Sequence, residues 1–194
     1  MSMEYIPTGE TSGARKFHGS IAEGYDAKRE QSPKWTIEQA HIEDMLSDLA
    51  PGSIVFDCPC GTGRFFKFYH LRGLKFVGMD ISRDMLMQAA NRVIDPPMCD
   101  LIQGDIRSTG GADKVVDASV MCRLTRWLSP DDCVLALKEL QRITKSKIIF
   151  TARVRNHPHA RTYALIESAL DGWKIVRDEA GADLDYRIIE LRPV

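Results

Sequence analysis

The five cysteines of this 194-residue chain, at positions 58, 60, 99, 122 and 133, make no C-x-x-C pair and no regular spacing. The sequence signals of a disulfide framework and of a zinc site are therefore missing, and no metal is expected. An excess of one charge is missing too: 26 basic residues against 27 acidic ones leave a formal net charge of -1, with neither a basic tail nor an acidic run. Bulk electrostatic capture of nucleic acid or of a membrane surface gains no support from such a balance. No apolar stretch reaches transmembrane length, and the polar opening residues lack the basic-then-apolar order of a secretion signal. The expectation is a cytoplasmic protein without a membrane partner. Its length suits one domain with a substantial core, and neither repeats nor low-complexity segments complicate that account.

What is present is most concentrated between Val55 and Arg64, VFDCPCGTGR, where a short apolar run ends in an acid and turns through a Gly-x-Gly loop. That order is the strand, loop and helix of a nucleotide-handling α/β sheet. The third glycine of a dinucleotide loop is replaced by Phe66, and the G-K-[ST] ending of a phosphate loop is absent. A ligand with nucleoside character and little phosphate remains.

Alternating signals extend the pattern. An entry segment is expected over 17–28, either a cofactor-covering segment or a packed helix, and helices are expected over 33–49 (with Ser32 before Pro33 as its cap), 64–70, 82–93, 130–143 and 160–170. Strands are expected over 53–56, 75–79, 101–103, 114–121 and 147–152. Ser129, Pro130, Asp131 and Asp132 supply a cap, a first-turn proline and acids at one helix start, and Val134, Leu135, Leu137, Leu140 and Ile143 read as its core stripe. The fold class is α/β, a mostly parallel sheet with helices on both faces. Asp95 to Pro97 reads as a turn.

The motif from Asp57 to Gly63, DCPCGTG, resembles the first motif of the class I S-adenosylmethionine-dependent methyltransferases, departing at Pro59. The runs 77–86 (VGMDISRDML), 103–106 (QGDI) and 112–143 are similar to that family's later blocks in the family's order, and 172–176 with 186–191 resembles its closing antiparallel hairpin. The resemblance implies a Rossmann-like fold, S-adenosyl-L-methionine as cofactor, residues 1–50 as a covering segment and helix, and 51–194 as the cofactor-binding core. It assigns Asp57, Cys58, Pro59, Cys60, Gly61, Gly63 and Arg64 to the methionine and ribose side, with Arg64 reaching for the methionyl carboxylate. Asp80 is assigned to the ribose diol, Ile81 and Met85 to the flanks of adenine, and Asp105 with Ile106 to its edge. Pro59 removes an N–H, so an altered loop geometry is expected. Two tempting motifs are out of place: Asp95 to Met98 precedes the third strand, where an amino-methylating D-P-P motif would follow the fourth, and Cys60 lies inside the cofactor loop rather than standing free as a nucleophile.

Ligands of open parallel sheets gather beyond the strand C-termini. The fourth-strand end therefore offers Met121 and Cys122 to the cofactor and Arg123, Arg126 and Trp127 to an acceptor. After the fifth strand come Arg153, Arg155, Asn156, His157, His159 and Arg161; His157, as base, and Tyr25 are the catalytic candidates, and Tyr25 with His18 closes over the site from the N-terminal side. The expected function is methyl transfer to a small-molecule acceptor; RNA methylation and a noncatalytic S-adenosylmethionine-binding sensor or interaction protein are the alternatives. The acceptor atom and the oligomeric state are left open.

Overall fold

The computed structural model describes residues 16–29, 32–154, 162–181 and 186–194. Its centre is one seven-stranded sheet in the order β3-β2-β1-β4-β5-β7-β6. The strands are β1 (Ile54–Asp57), β2 (Lys75–Asp80), β3 (Cys99–Gln103), β4 (Val116–Met121), β5 (Thr144–Arg153), β6 (Trp173–Ala180) and β7 (Tyr186–Pro193). The first five pair in parallel, and β7 runs antiparallel between β5 and β6. The order reverses beside β1, which places the switch point of the sheet at the glycine loop.

Neighbouring residues of one strand enter opposite cores, as a pleated strand requires. Phe56, Met121, Ile148, Phe150 and Ile189 join the face covered by α6 (Pro130–Ile143) and α7 (Tyr163–Ser168). Val55, Val120, Ile149 and Ile188 join the other face, covered by α3 (Pro33–Met45) and α4 (Phe66–Leu71), with Ala89 of α5 (Arg83–Ala90). The helices thus cover both faces of the sheet. A fully buried Leu, Ile or Phe in such clusters contributes about 1.5–3 kcal/mol relative to an exposed one. Among the described residues no helix is long and apolar enough to cross a membrane.

Several local expectations change. The entry segment 17–28 holds two short helices, α1 (Ser20–Glu23) and α2 (Tyr25–Arg29), parted at Gly24. Ser32 occupies the N-cap of α3 but makes no side-chain cap bond, unlike Ser129, whose Oγ accepts from Asp132 N at 3.1 Å. Leu135 is 51% exposed, because at 100° per residue it falls outside the arc of Cys133, Ala136, Leu137, Leu140 and Ile143. The expected turn at Asp95 is a short 3-10 helix, Pro96–Met98. The helix expected over 64–70 begins later, at Phe66, since residues 61–65 are taken by the loop turn.

Candidate functional site

The loop leaving β1 is fixed by its own backbone and by the end of β2. Cys60 N donates to Met79 O at 2.9 Å, and Gly63 N to Cys60 O at 3.0 Å. Gly61 N donates to Asp80 Oδ2 at 2.9 Å, while Ser82 N donates to Asp80 Oδ1 at 2.8 Å. Gly61 and Gly63 stand at φ +57° and +81°, which side-chain-bearing residues rarely adopt, and a Cβ on Gly63 would lie 2.7 Å from the Phe66 ring. The position that lacks a dinucleotide loop's glycine thus makes its own demand on the glycine before it. The Cys58–Pro59 peptide is cis.

The loop forms one wall of a cavity. Pro59, Cys60, Gly61, Thr62, Arg64, Asp80, Ile81 and Met85 line that side. Across from them stand Cys122, Arg123, Arg126 and Trp127 beyond β4, Arg153 from β5 and Tyr186 from β7. Phe17, Tyr25 and Trp35 close it from the N-terminal segment. Their rings run in edge contacts, Trp35 to Tyr25 at 6.2 Å, Tyr25 to Phe17 at 5.7 Å and Phe17 to Trp127 at 5.6 Å, so the cover and the loop after β4 share one aromatic wall. Polar bonds fasten that cover: Ser82 Oγ donates to Phe17 O at 2.5 Å, Gly19 N to Asp84 Oδ2 at 2.7 Å, and Thr62 Oγ1 to Asp26 Oδ1 at 2.7 Å.

Behind the wall lies a residue the sequence reading did not select. Glu38, 1% exposed, accepts from Arg64 Nη1 at 2.5 Å and from Arg123 Nε at 2.8 Å. Burial opposes its ionisation, but the two guanidiniums prevail and hold its carboxyl below the usual range. Arg64 also donates to Trp35 O, reaches Gln39 Oε1 at 3.4 Å and stacks 3.7 Å over the Trp35 ring. Through these contacts Arg64, which also lines the cavity, fastens α3 to the loop instead of facing solvent. Arg123 stands at φ +59°, an unusual backbone state for a long side chain, with its N–H donating to Thr151 Oγ1 at 2.7 Å. A signal for Glu38 was present: Trp35, Glu38, Ile42 and Met45 form one helical stripe, and an acid inside such a stripe calls for a buried cation.

The other assigned residues divide. Asp57, Cys58, Ile106 and Met121 are buried and do not line the cavity, nor does Gly63. Burial pushes the Asp57 carboxyl up to about 8, against a 3.3 Å hydrogen bond from the Tyr69 hydroxyl. Burial likewise raises Asp80 to about 6, with its backbone donors pulling the other way. Asp105 also stands away from the cavity lining: its carboxylate accepts from Arg107 Nε at 3.0 and 3.1 Å and from Nη2 at 2.5 Å. Burial pushes the Cys58, Cys60 and Cys122 thiols well up, so these cysteines are packed thiols rather than nucleophiles. It also raises Tyr25 and Tyr186, whose hydroxyls keep their protons at neutral pH. Arg155, Asn156, His157, His159 and Arg161 lie outside the described residues.

A parallel sheet reversed at one edge, with a glycine loop and a strand-end acid at its switch point, defines a nucleoside-cofactor α/β domain. A family model described as a methyltransferase domain matches residues 55–147. The chain is similar to a malonyl-[acyl-carrier protein] O-methyltransferase of Yersinia pestis, 29% identical over 124 residues, covering 64% of this chain and 43% of that protein. The enzyme of the same name from Salmonella typhimurium is 26% identical over 180 residues, covering 81% of this chain and 70% of the relative. In fold it is similar to magnesium protoporphyrin IX methyltransferase from Synechocystis PCC 6803 with bound SAH, at TM-score 0.78 and 15% identity, covering 94% of this chain and 98% of that one. The methyltransferase-domain match, these relatives and the shared fold all agree with the resemblance of the motifs to the class I S-adenosylmethionine-dependent methyltransferases. It spans less than half of the Yersinia relative's length.

Proposed function

We propose that this domain transfers the methyl group of S-adenosylmethionine to a small-molecule acceptor bound beneath the aromatic cover. The observation that carries the reading is the single cavity in which the glycine loop and Asp80 face Arg123, Arg126, Trp127 and Arg153. The residues present suit the cofactor. Asp80 keeps a buried carboxylate at the rim with lone pairs beyond those used by Gly61 and Ser82, which suits a ribose diol, and Ile81 and Met85 offer apolar flanks for adenine. Asp105 is assigned to turning the chain after β3 with Arg107, and Arg64 to positioning the loop. When bound, the cofactor supplies an electrophilic methyl group on a sulfonium, and the chain supplies orientation and a dry approach. Residues 16–29 serve as the cover, fastened by Asp26, Asp84 and Ser82.

Calorimetry with S-adenosylhomocysteine, followed by labelled-methyl transfer to metabolite and RNA pools, tests this. Binding together with label in a small-molecule fraction is the expected result. A folded sample that gives no heat would end the cofactor assignment; binding with label only in RNA, or in nothing, would replace the small-molecule reading with one of the alternatives.

A further inference from the structure

One oxygen of Glu38 serves donors from both walls of the cavity. Its Oε1 accepts from Arg64 Nη1 at 2.5 Å, from Arg123 Nε at 2.8 Å and from the Cys122 thiol at 3.3 Å. Arg64 follows the glycine loop, and Cys122 and Arg123 follow β4; all three line the cavity, and Glu38 stands behind them. Trp35, one turn before Glu38 in α3, lies under both guanidiniums, its ring centre 3.7 Å from Arg64 and 5.6 Å from Arg123. Two guanidiniums thus share one buried carboxylate, where solvent screens little, and a shift of either changes the pull that Glu38 exerts on the other. Arg123 also holds a backbone state, φ +59°, that a long side chain keeps only where its surroundings enforce it. Its N–H donates to Thr151 Oγ1 at 2.7 Å, which also accepts from the Tyr186 hydroxyl at 2.8 Å, and Thr125 Oγ1 donates to Thr151 O at 3.0 Å. These ties run to β5 and β7, within the same wall. The bond from the Arg123 side chain to Glu38 reaches across to the glycine loop through Arg64.

Building on the methyl-transfer reading, we infer that Glu38 is a positioning residue that couples the two walls. The glycine loop, as the cofactor fixes it, sets Arg64, and Glu38 passes that placement to Arg123 and to the turn after β4 on the acceptor side. Glu38 itself touches neither ligand. The coupling is reciprocal, because order gained at 123–128 when the cofactor binds returns as affinity for the cofactor. A change confined to the acceptor wall at Arg123 is therefore felt by the cofactor, provided that Glu38 is there to carry it.

The test is amide hydrogen exchange on the full chain with and without saturating S-adenosylhomocysteine, followed at 59–65 and at 123–128, with calorimetry on the same samples. In the wild-type protein the ligand should slow exchange in both segments, by about tenfold in the second. In Glu38→Gln, which keeps an acceptor atom but not the charge, the ligand should still slow the first segment, while its effect on the second falls below about twofold. The quantity read is the ratio with and without ligand, since a merely structural loss speeds exchange in both states and leaves that ratio unchanged. Arg123→Gln keeps the pair of Arg64 with Glu38 and should weaken S-adenosylhomocysteine binding about fivefold; combined with Glu38→Gln it should add no further loss. If Glu38→Gln fails to fold, the affinity of Arg123→Gln alone decides. Slowing at 123–128 that persists in Glu38→Gln, no slowing there in the wild type, additive losses, or normal binding by Arg123→Gln would each overturn the inference. A folded wild-type protein that gives no heat with S-adenosylhomocysteine would instead end the cofactor reading, so the two failures are separately visible.

Discussion

The two walls of the cavity are built by different means. The cofactor-facing wall comes from two short stretches, 59–64 and 80–85, whose shape is set by backbone hydrogen bonds between adjacent parallel strands. The opposite wall gathers Phe17, Tyr25, Trp35, Arg123, Trp127, Arg153 and Tyr186, residues spread over most of the chain and joined by ring contacts and buried ion pairs. Backbone geometry gives the first wall a form that tolerates many side chains, as Pro59 illustrates. The second depends on what its side chains are, and so it is where the selection of an acceptor resides.

Glu38 joins the two walls, and removing it should produce the largest change. Glu38→Ala leaves the guanidinium of Arg64, only 7% exposed, without its carboxylate, and frees Arg123 beside it. Breaking one side of a buried pair costs about 3–5 kcal/mol, so urea unfolding should show a loss of that size. A loss below about 1 kcal/mol would mean that the walls are joined by packing rather than by this carboxylate. Glu38→Gln, which keeps a hydrogen-bond acceptor, should lose less.

The same contrast explains what the sequence made legible. The sheet, the glycine loop and the strand-end position of Asp80 follow from contiguous signals: an apolar run, a turn with two glycines, an acid after the next run. The covering segment was legible in outline, with its aromatic residues present but not their partners, because Phe17 and Trp127 meet only in three dimensions. Arg64 reads as a first-turn arginine until α3 brings Glu38 and the Trp35 carbonyl to it. Asp105 is the acid that the motif's resemblance assigns to adenine, and its carboxylate accepts from Arg107, two residues on, a local pairing that the motif does not display.

A second prediction separates the walls. Asp80→Ala removes the carboxylate assigned to the ribose and leaves Gly61 N and Ser82 N without their acceptor. The affinity for S-adenosylhomocysteine should fall by about 2–3 kcal/mol, roughly 30- to 150-fold, as expected for lost hydrogen bonds to a charged group. The Arg126→Gln protein should bind the same ligand normally. Equal losses in both variants would show one continuous ligand surface rather than two walls with separate duties.

The smallest effect comes from titrating Asp80, and its sign can be worked out in advance. Burial raises this carboxyl from 3.8 to about 6, so between roughly pH 4 and 6 the folded protein holds a proton that the unfolded chain has released. The group's contribution to stability is therefore present at low pH and is lost as pH rises through about 6. Ribose hydroxyls donate best to the ionised form, so ligand affinity moves in the opposite sense, rising through the same window and levelling above it. At pH 5, one unit below the titration, S-adenosylhomocysteine should bind about tenfold more weakly than on the plateau, a difference near 1.4 kcal/mol. His18 lies 3.7 Å from Asp84 and acts electrostatically on Asp80, so its removal is the control for an indirect effect on that carboxyl. Calorimetry from pH 5 to 8 on Asp80→Asn and His18→Ala assigns the titration: the first should flatten the profile and the second should preserve it. A profile that survives in Asp80→Asn and vanishes in His18→Ala would transfer the pH dependence from the cofactor wall to the cover.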